Sequence, residues 1–442
     1  ADRGPIARLV PIDPDAIGID VINRIDAACD YRLPDITGSG IALADLDGDG
    51  RLDLAVASLS GSVTILLQSP DGRFDARGRA PLIVDGSPMG IAIGDLTNDA
   101  LPEILVTAHG DDRLFLNEGE GRFRDVTEAS GYSNPAWGTS ACFVDYDRDG
   151  WLDLFVTNYV EYEHRLCRRA AGGPPDFCGP HLFEPTIDRL FRNATGDGPD
   201  RGPGDDVTEP SDAPRPAIVP RLVDRTAPAG IASVRGAGLG TTAGDLTGDG
   251  LPDIYVANDQ MANVLWVNQG DGTFRDEATL RGCALDVRGR PQGSMGIAID
   301  DFDADGQWDI FLTHLAGEYH TLYRGRPDGT FEDDTASAGL AHVTLPLTGF
   351  GVAAVDLDHD GDDDLISVSG AVRRLSASPH SVEPSTTASV DRLVAYREPG
   401  QVLWNSGSGF IEARCDGEGI CEPAVSRGLA VGDLDGDGDQ DV

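Results

Sequence analysis

The sequence predicts an all-β fold, a seven-bladed β-propeller with calcium-binding loops in the blades, and three observations favour it. A short acidic loop recurs seven times, and its fullest form reads Asp-x-Asp-x-Asp-Gly-x-x-Asp. Uninterrupted copies begin roughly 50 residues apart, which is typical of propeller blades and not of helical solenoids. Short strands without helical periodicity flank each loop, so each unit is expected to form a four-stranded sheet.

The strands keep one order around each loop. A strand of small residues precedes the loop, as at residues 40–44, and an apolar strand follows it, as at residues 54–57. A third strand, such as residues 114–117, leads through a glycine turn to a fourth strand that begins near Phe123. Small residues suit the crowded inner wall of a ring of sheets, and closing the ring protects most sheet edges.

The alternating carboxylates of the loop are the oxygen ligands that Ca²⁺ prefers. We predict that the side chains at positions one, three, five and nine bind the ion together with the carbonyl of position seven. An EF-hand would place a bidentate glutamate at position twelve, where the first two loops have Val56 and Val106. Glycine at position six permits a sharp turn with φ > 0. The second loop has Ala100 there and Thr97 at position three, so we expect it to be the weakest site, followed by the fourth loop with Thr247.

The predicted ligands serve up to seven calcium ions. In the first four loops they are Asp45, Asp47, Asp49, Arg51, Asp53, Asp95, Thr97, Asp99, Glu103, Asp145, Asp147, Asp149, Trp151, Asp153, Asp245, Thr247, Asp249, Leu251 and Asp253. In the last three loops they are Asp301, Asp303, Asp305, Gln307, Asp309, Asp356, Asp358, Asp360, Asp362, Asp364, Asp433, Asp435, Asp437, Asp439 and Asp441.

Two insertions interrupt the repeats. Residues 1–37 form an N-terminal segment and residues 38–442 form the propeller, with insertions at about 161–222 and about 371–397. Insertions in a rigid scaffold often carry binding specificity. Sequence drift in a tolerant surface loop is an equal alternative.

The last blade is incomplete in this sequence. The chain ends at Val442, directly after the seventh loop. We expect a strand at Ile19–Ile25 to lie at the outer edge of this blade and close the ring. The remaining strands are expected to come from residues beyond Val442 or from another chain that adds to the open sheet edge.

The formal net charge of −41 is concentrated in the repeats, because the seven loops hold more than a third of the 75 acidic residues. Repulsion within the metal-free loops is expected to couple folding to metal binding. Only 34 residues are Lys or Arg, without a basic stretch, so nucleic acid is excluded as a partner. The sequence also has no apolar run of about twenty residues that would span a membrane.

The cysteines favour an oxidising compartment. Four of them close short loops and are predicted to form the disulfides Cys167–Cys178 and Cys415–Cys421. Cys142 lies on the inner strand of the third blade and is expected to pack as a reduced thiol. Cys29 and Cys283 can pair with each other, although the sequence does not decide this. Disulfides and weak calcium sites together indicate an extracellular, cell-surface or periplasmic protein.

Several segments of the repeats are similar to a known family. They are Thr157-Asn158-Tyr159, Tyr255-Val256-Ala257-Asn258-Asp259, Met295-Gly296, Leu322-Tyr323-Arg324 and, in the first insertion, Cys178-Gly179-Pro180. The chain resembles FG-GAP (VCBS-type) repeat proteins such as the integrin α propeller, and more closely the cartilage acidic protein family with its bacterial relatives. This resemblance implies an extracellular, calcium-stabilised scaffold that binds protein or glycan, often in adhesion, and for most bacterial members no assigned reaction.

Two alternatives to a binding scaffold remain open. Paired loop carboxylates are also the groups that glycosidases use, although carboxylates held by calcium make poor general acids. Four aromatic residues would stack on sugars in a lectin if they were exposed, or else pack between blades: Trp137, Tyr159, Tyr162 and Tyr319. The incomplete last blade would also suit a self-assembling subunit of a cell-surface polymer.

One further group has the donor types of a transition-metal site. His314, Glu318 and His320 lie close together in the sequence, and imidazole and carboxylate suit zinc or copper. Their spacing does not match a zincin motif. The segment also connects two strands, so packing is the favoured interpretation.

Overall fold

The structure, a computed structural model, describes residues 9, 11–19, 30–76, 79–168, 173–197, 218–374, 393–414 and 419–442. Six antiparallel sheets of four or five strands follow one another along the chain, and a two-stranded ribbon lies within the third repeat. No helix in these residues is longer than four residues. The predicted all-β, seven-bladed β-propeller is confirmed.

The strands of the first three blades are given from the inside outward. Blade one has Ile41–Ala44, Asp53–Ser58, Ser62–Gln68 and Phe74–Asp75, with Leu82–Ile83 added beside the third strand. Blade two has Gly86–Gly94, Glu103–Gly110, Arg113–Asn117 and Phe123–Asp125. Blade three has Gly138–Val144, Asp153–Asn158, Arg189–Asn193 and Leu222–Asp224, and its ribbon is Cys167–Arg168 with Pro175–Asp176.

The next three blades repeat this arrangement. Blade four has Gly238–Gly244, Asp253–Met261, Val264–Asn268 and Phe274–Asp276, with Gln292–Gly293 beside the second strand. Blade five has Ile297–Asp300, Asp309–Leu312, Thr321–Gly325 and Phe331–Asp333. Blade six has Gly349–Val355, Asp364–Ser369, Gln401–Asn405 and Phe410–Glu412.

Short helical turns connect the strands. The α-helical turns are Pro14–Ile17, Pro34–Thr37, Thr127–Ser130, Ala278–Arg281 and Leu340–Val343. The 3₁₀ turns are Pro180–Leu182, Thr195–Asp197, Ile231–Ser233, Val394–Tyr396 and Gly419–Cys421.

The seventh repeat occupies the gap between blades six and one. The Gly351 N–H donates to the Arg427 carbonyl at 2.9 Å, and Gly432 and Asp441 form an isolated antiparallel bridge. On the other side, a Cβ atom on Gly428 would lie 2.9 Å from the Ser39 carbonyl oxygen of blade one. Residues 427–442 therefore close the ring with an inner segment and an acidic loop.

The side chain of Arg427 strengthens this closure. It is partly buried, and its guanidinium donates to the carbonyls of Ile36 at 2.5 Å and Gly370 at 3.0 Å. It also lies 3.9 Å from the ring centroid of Phe350, in cation–π contact. One side chain thus joins the N-terminal segment, blade six and the seventh repeat.

A small residue of each inner strand lines the central channel. The seven are Gly40, Gly90, Ser140, Gly240, Gly296, Gly351 and Gly428. A Cβ atom on Gly296 would lie 1.9 Å from the Phe350 carbonyl oxygen, and one on Gly240 would lie 2.2 Å from that of Met295. Neighbouring inner strands therefore pack backbone against backbone, which explains why this strand is rich in small residues.

The end of the channel opposite the acidic loops is covered by a cluster of buried aromatic and aliphatic side chains. Leu33 and Ile36 of the N-terminal segment pack there with Trp137, Tyr159 and residues of both insertions. Trp137 and Tyr159 are almost fully buried. A sugar-stacking role for these two is therefore wrong, and the packing alternative holds. Tyr162 and Tyr319 are partly buried.

The structure bears on two predictions about the organisation of the chain. The third strand of blade three, Arg189–Asn193, lies inside the range 161–222, so this range comprises two separate insertions. Of the proposed strand Ile19–Ile25, only Ile19 lies in the described residues. It follows the helical turn Pro14–Ile17 and packs in the cluster that contains Leu66 and Phe74 of blade one.

The cysteines agree with the sequence in part. The disulfide Cys167–Cys178 is present, and Cys142 is a free thiol. Cys283 is also free and is buried, so its pairing with Cys29 is wrong. Cys421 is disulfide-bonded, whereas Cys415 and Cys29 lie outside the described residues. Within the described part of the chain, no helix has the length and hydrophobicity of a membrane span.

Candidate metal centres

Every acidic loop lies at the same hairpin of its blade. In the six complete blades the residue before the loop pairs with position nine, as Ala44 pairs with Asp53 and Val144 with Asp153. This constant register holds positions one and nine at the base of the hairpin. All seven loops therefore open on one face of the propeller.

Five of the loops bring three carboxylates together. In each group the ligand atoms lie within 4.8 Å of one another, which is a spacing suited to a single cation. The groups are Asp45, Asp47 and Asp53; Asp145, Asp147 and Asp153; Asp301, Asp303 and Asp309; Asp356, Asp358 and Asp360; and Asp433, Asp435 and Asp441. Position five joins only in the sixth loop, and the second and fourth loops, with Thr97 and Thr247, form no such group.

Position one organises the backbone of the loop. Asp45 accepts hydrogen bonds from the N–H groups of Gly48 at 2.8 Å, Asp49 at 3.1 Å and Gly50 at 2.8 Å. The bond from the position-six N–H to the position-one carboxylate recurs in all seven loops. Position six has positive φ throughout, including φ 69° at Ala100, where a non-glycine residue is strained.

In the six complete blades, position nine is buried and bridges the loop to the third strand. Asp153 accepts the N–H of Tyr146 at 3.1 Å with one oxygen and the N–H of Asn193 at 2.7 Å with the other. Removal from water raises the pKa of Glu103 and of Asp153 to about 8, and the other loop carboxylates add to this. The same desolvation raises the pKa of Asp253, Asp309 and Asp364 to about 6. A nearby positive charge would favour the ionised form.

Two buried carboxylate oxygens without a hydrogen-bond partner also indicate that the loops suit an oxygen-preferring cation. The Oδ1 atoms of Asp47 and Asp245 are buried and have no hydrogen-bond partner in the described residues. Both atoms belong to predicted ligand positions, three in the first loop and one in the fourth. A buried carboxylate oxygen without a partner is costly, and a bound cation would remove that cost.

In two blades an arginine of the third strand contacts the loop. Arg192 donates to Asp147 at 2.7 Å and to Asp149 at 2.6 Å. Arg324 donates to Asp309 at 2.5 Å and lies 3.7 Å from Asp303. These arginines neutralise part of the loop charge. This role was not predicted from the sequence, and the one available signal is that only blades three and five have arginine at this point of the third strand.

In five blades, a side-chain amide at the end of the third strand donates a hydrogen bond to the acidic loop of the preceding blade. Asn193 of blade three donates to the position-two carbonyl of blade two, that of Leu96, at 2.8 Å and to the Leu152 carbonyl at 3.0 Å. We call this contact the amide latch. Equivalent latches run from Gln68 to Leu434, Asn117 to Leu46, Asn268 to Tyr146 and Asn405 to Phe302. Blade five has Gly325 at this position and has no latch to blade four.

Replacing Asn193 with alanine is expected to lower the free energy of unfolding by about 2 kcal/mol or more, because two buried carbonyls lose their donor. Chemical denaturation measures the change. Asn98→Gly is the matched control, since the Asn98 amide also crosses between blades, to the Gly150 carbonyl at 3.0 Å, but is exposed, and glycine adopts its φ of 55° without strain. We expect its effect to stay within about 0.5 kcal/mol. Equal effects would show that the latch does not stabilise the ring.

The histidine pair has a structural role. The Nδ1 atom of His320 accepts the N–H of His314 at 3.1 Å, as the Asp112 and Asp188 carboxylates accept the equivalent N–H groups of their blades. Burial lowers the pKa of both histidines to about 3, so they are neutral. Glu318 accepts the Gly293 N–H at 2.8 Å. Among the described residues, no three-donor metal group forms outside the acidic loops.

Fold and loops together define a repeat propeller whose blades each present an acidic hairpin loop on the same face. The sequence profile of the FG-GAP-like repeat family matches residues 45–106, 95–156, 245–312 and 301–367. These matches cover more than half of the chain. The chain belongs to the FG-GAP-like repeat family, which confirms the predicted resemblance.

Curated relatives extend the similarity. Cartilage acidic protein 1 of Homo sapiens is 25% identical over 417 residues, which is 89% of this chain and 56% of that protein. The protein of the same name from Mus musculus is 26% identical over 418 residues, with 89% and 58% covered. The chain thus spans somewhat more than half the length of these relatives.

Solved structures with a similar course of the chain include two lectins. A lectin of Agrocybe aegerita that recognises non-reducing terminal N-acetylglucosamine superposes with a TM-score of 0.45 and 15% identity, covering 85% of this chain and 79% of that one. The SapL1 lectin in complex with alpha methyl fucoside gives a TM-score of 0.39 and 12% identity, covering 86% and 96%. Both are too distant to carry a functional argument.

Proposed function

We propose that this protein is an extracellular, calcium-stabilised β-propeller that serves as a scaffold for binding protein or glycan. The observation that carries the proposal is the convergence of three carboxylates at the same hairpin of five repeats. Such repetition at a constant register is expected of a set of structural ion sites, because each ion would hold one loop and the strands that flank it.

Calcium is the cation that these donors fit best. Carboxylate and carbonyl oxygens in a flexible loop suit Ca²⁺, whereas Mg²⁺ requires a near-ideal octahedron and retains several waters. In the first loop, Asp45, Asp47, Asp49 and Asp53 would hold the ion together with the carbonyl of Arg51. The bound ion would supply positive charge to a group of carboxylates, two of which already accept several backbone N–H groups.

The proposed location rests on the disulfide and on the calcium sites. The bond Cys167–Cys178 closes the ribbon of the first insertion, and such bonds persist in oxidising compartments. Weak calcium loops are also used where calcium is abundant, outside the cell. An extracellular or cell-surface location follows as part of the proposal.

Binding is favoured over catalysis by the state of the loop carboxylates. Position one accepts up to three backbone N–H groups, and position nine is committed to two more, as in Asp45 and Asp153. With calcium bound, these carboxylates would be held in their ionised form, and an ionised carboxylate cannot donate the proton that glycoside cleavage requires. The burial of Trp137 and Tyr159 removes two of the four aromatic residues considered for stacking on sugars, and Tyr162 and Tyr319 remain partly accessible.

The loops are expected to differ in occupancy, which tests the proposed sites one by one. The loop at Asp95 should be the least occupied, because Ala100 is strained at position six and Thr97 replaces a carboxylate. A crystal structure grown over a calcium series, with anomalous scattering to identify the ions, measures each occupancy. Full occupancy at Asp95 at the lowest calcium concentration would contradict the ranking, and no calcium at any loop would contradict the proposed function.

A further inference from the structure

A cleft opens between blades three and four on the face of the acidic loops. We call it the blade 3–4 cleft, and its volume is about 450 Å³, within the range of small-molecule sites. Its walls are Tyr146, Asp147, Arg148, Arg192, Arg225 and, from blade four, Leu251 and the turn Gly270-Asp271-Gly272. Three arginines thus meet in one cleft of a chain whose net charge is −41.

The internal repeats show that these residues are specific to one cleft. Arg225 lies just after the outer strand of blade three, and its N–H donates to a carbonyl of the third strand. The residues that make the equivalent bond in blades two, four, five and six are Val126, Glu277, Asp334 and Ala413. Folding of a blade therefore requires no basic residue at this position.

Two other wall residues of the cleft also differ from the residues at the same positions of the other repeats. Arg148 is position four of its loop, where the remaining loops have Gly48, Asn98, Gly248, Ala304, His359 and Gly436. Tyr146 is position two, where the remaining loops have Leu46, Leu96, Leu246, Phe302, Leu357 and Leu434. Only Tyr146 adds a hydroxyl at this position, and its ring lies 5.6 Å from that of Phe274 in blade four.

Two of the three guanidinium groups have no carboxylate partner among the described residues. Arg192 is satisfied, because it pairs with Asp147, Asp149 and Asp197 at 2.6–2.7 Å. Arg148 and Arg225 form no ion pair in the described structure, and the buried Nε of Arg225 has no hydrogen-bond partner there. Arg192 occupies Asp147 and Asp149, and the remaining acid of the cleft wall, Asp271, accepts the N–H and the hydroxyl of Thr273 at 3.0 and 2.6 Å. The positive charges of Arg148 and Arg225 therefore remain available to a ligand.

We propose that the blade 3–4 cleft binds an oxyanion group, such as a sulfate or carboxylate, carried by a small ligand. Guanidinium groups bind oxyanions through paired charge-assisted hydrogen bonds, which places Arg148 and Arg225 in the binding role. Tyr146 is the neutral donor at the base of the cleft. Calcium in the third and fourth loops would strengthen binding by adding positive charge; that dependence rests on the proposed function, whereas the role of the arginines does not.

Isothermal titration of the full chain with sodium sulfate, against a sodium chloride reference of matched ionic strength, tests the site. We expect Arg148→Gln and Arg225→Gln each to weaken sulfate binding at least tenfold, which is the loss of one charge-assisted contact. Arg275→Gln is the matched control, because Arg275 carries the same charge on the exposed outer strand of blade four. Its affinity should equal that of the wild type. Absence of sulfate binding by the wild type, or equal affinity in all variants, would overturn the proposal.

Two further arms identify the source of the anion and separate the two proposals. N-acetylglucosamine 6-sulfate that binds more tightly than free sulfate would indicate a sulfated sugar, and equal affinity would indicate the free anion; each outcome supports the site. Thermal melting of every variant confirms folding. Titration of wild type and Arg225→Gln, each loaded with calcium and each after calcium removal on a chelating resin, separates the two proposals at a temperature where the depleted proteins remain folded. An effect of the variant that does not depend on calcium supports the cleft even if calcium proves irrelevant.

Discussion

Chelation of calcium with excess EDTA is expected to lower the melting temperature of this protein by tens of degrees or to unfold part of it. Each ion that binds only the folded state stabilises it by about 2.7 kcal/mol at a hundredfold excess over its dissociation constant. Five carboxylate groups of this kind lie in the described structure, so the contributions accumulate. Differential scanning calorimetry with and without EDTA measures the effect.

Two controls make this result specific. Magnesium in place of calcium should restore only a small part of the loss, because the loops lack an octahedral cage. Asp47→Asn in the first loop should reduce the calcium-dependent part of the melting temperature more than Asp71→Asn, which changes an exposed acid of the same blade outside the loop. An unchanged melting curve in excess EDTA would contradict the calcium-stabilised propeller.

The second large effect concerns the ring of small residues at the channel. Gly296→Val is expected to prevent folding or to lower the free energy of unfolding by more than about 3 kcal/mol, beyond the usual range for overpacking. The added Cβ would lie 1.9 Å from the Phe350 carbonyl oxygen of the next blade, which is backbone and cannot rotate away. Expression yield and chemical denaturation report the loss.

Gly244→Ala is the matched control for this substitution. Gly244 also lies on an inner strand, in blade four, but the nearest atom to an added Cβ is the Leu246 Cδ2 at 3.9 Å. This variant should fold and match the wild type within about 0.5 kcal/mol. A well-folded Gly296→Val protein would show that neighbouring blades can separate, against the close backbone packing described above.

The sequence predicts the repeated blades and loops much better than it predicts the cluster of side chains that covers one end of the channel. Loops and inner strands repeat seven times, so local patterns such as Asp45 to Asp53 indicate both register and ligand set. The cluster that buries Trp137 and Tyr159 depends on contacts between the N-terminal segment and two insertions far apart in the chain. No local periodicity encodes such contacts, and the aromatic residues therefore look exposed when the sequence is considered alone.

Around the candidate sites, the sequence likewise predicts the third strands but not the roles of their side chains. Their pattern, Leu-Phe-Leu-Asn and its variants, is evident in the sequence, but the role of its last two residues is not. Asn193 acts on a carbonyl of the previous blade, and Arg192 acts on the loop of its own blade. The role of Asn193 depends on how far apart neighbouring blades lie, which is fixed only when the ring closes. The role of Arg192 depends on how the acidic loop folds over the third strand of its own blade.

The amide latches all point the same way around the ring, and the boundary between blades four and five lacks one. Each latch reaches back from one blade to the loop of the blade before it, so blades seven, one, two, three and four form one continuous arc, and blades five and six form another. Arg427 ties the second arc to the seventh repeat from the opposite face. The boundary at Gly325 has neither tie, but it is crossed by hydrogen bonds from Arg281 to the Gly329 carbonyl at 2.6 Å and from the Tyr323 hydroxyl to the Leu285 carbonyl at 3.0 Å. We therefore expect the blades to stay together there, while the Phe302 carbonyl of blade five is latched by blade six and the equivalent Leu246 carbonyl of blade four is left without a latch. Hydrogen exchange in the fourth loop should accordingly be faster than in the latched loops.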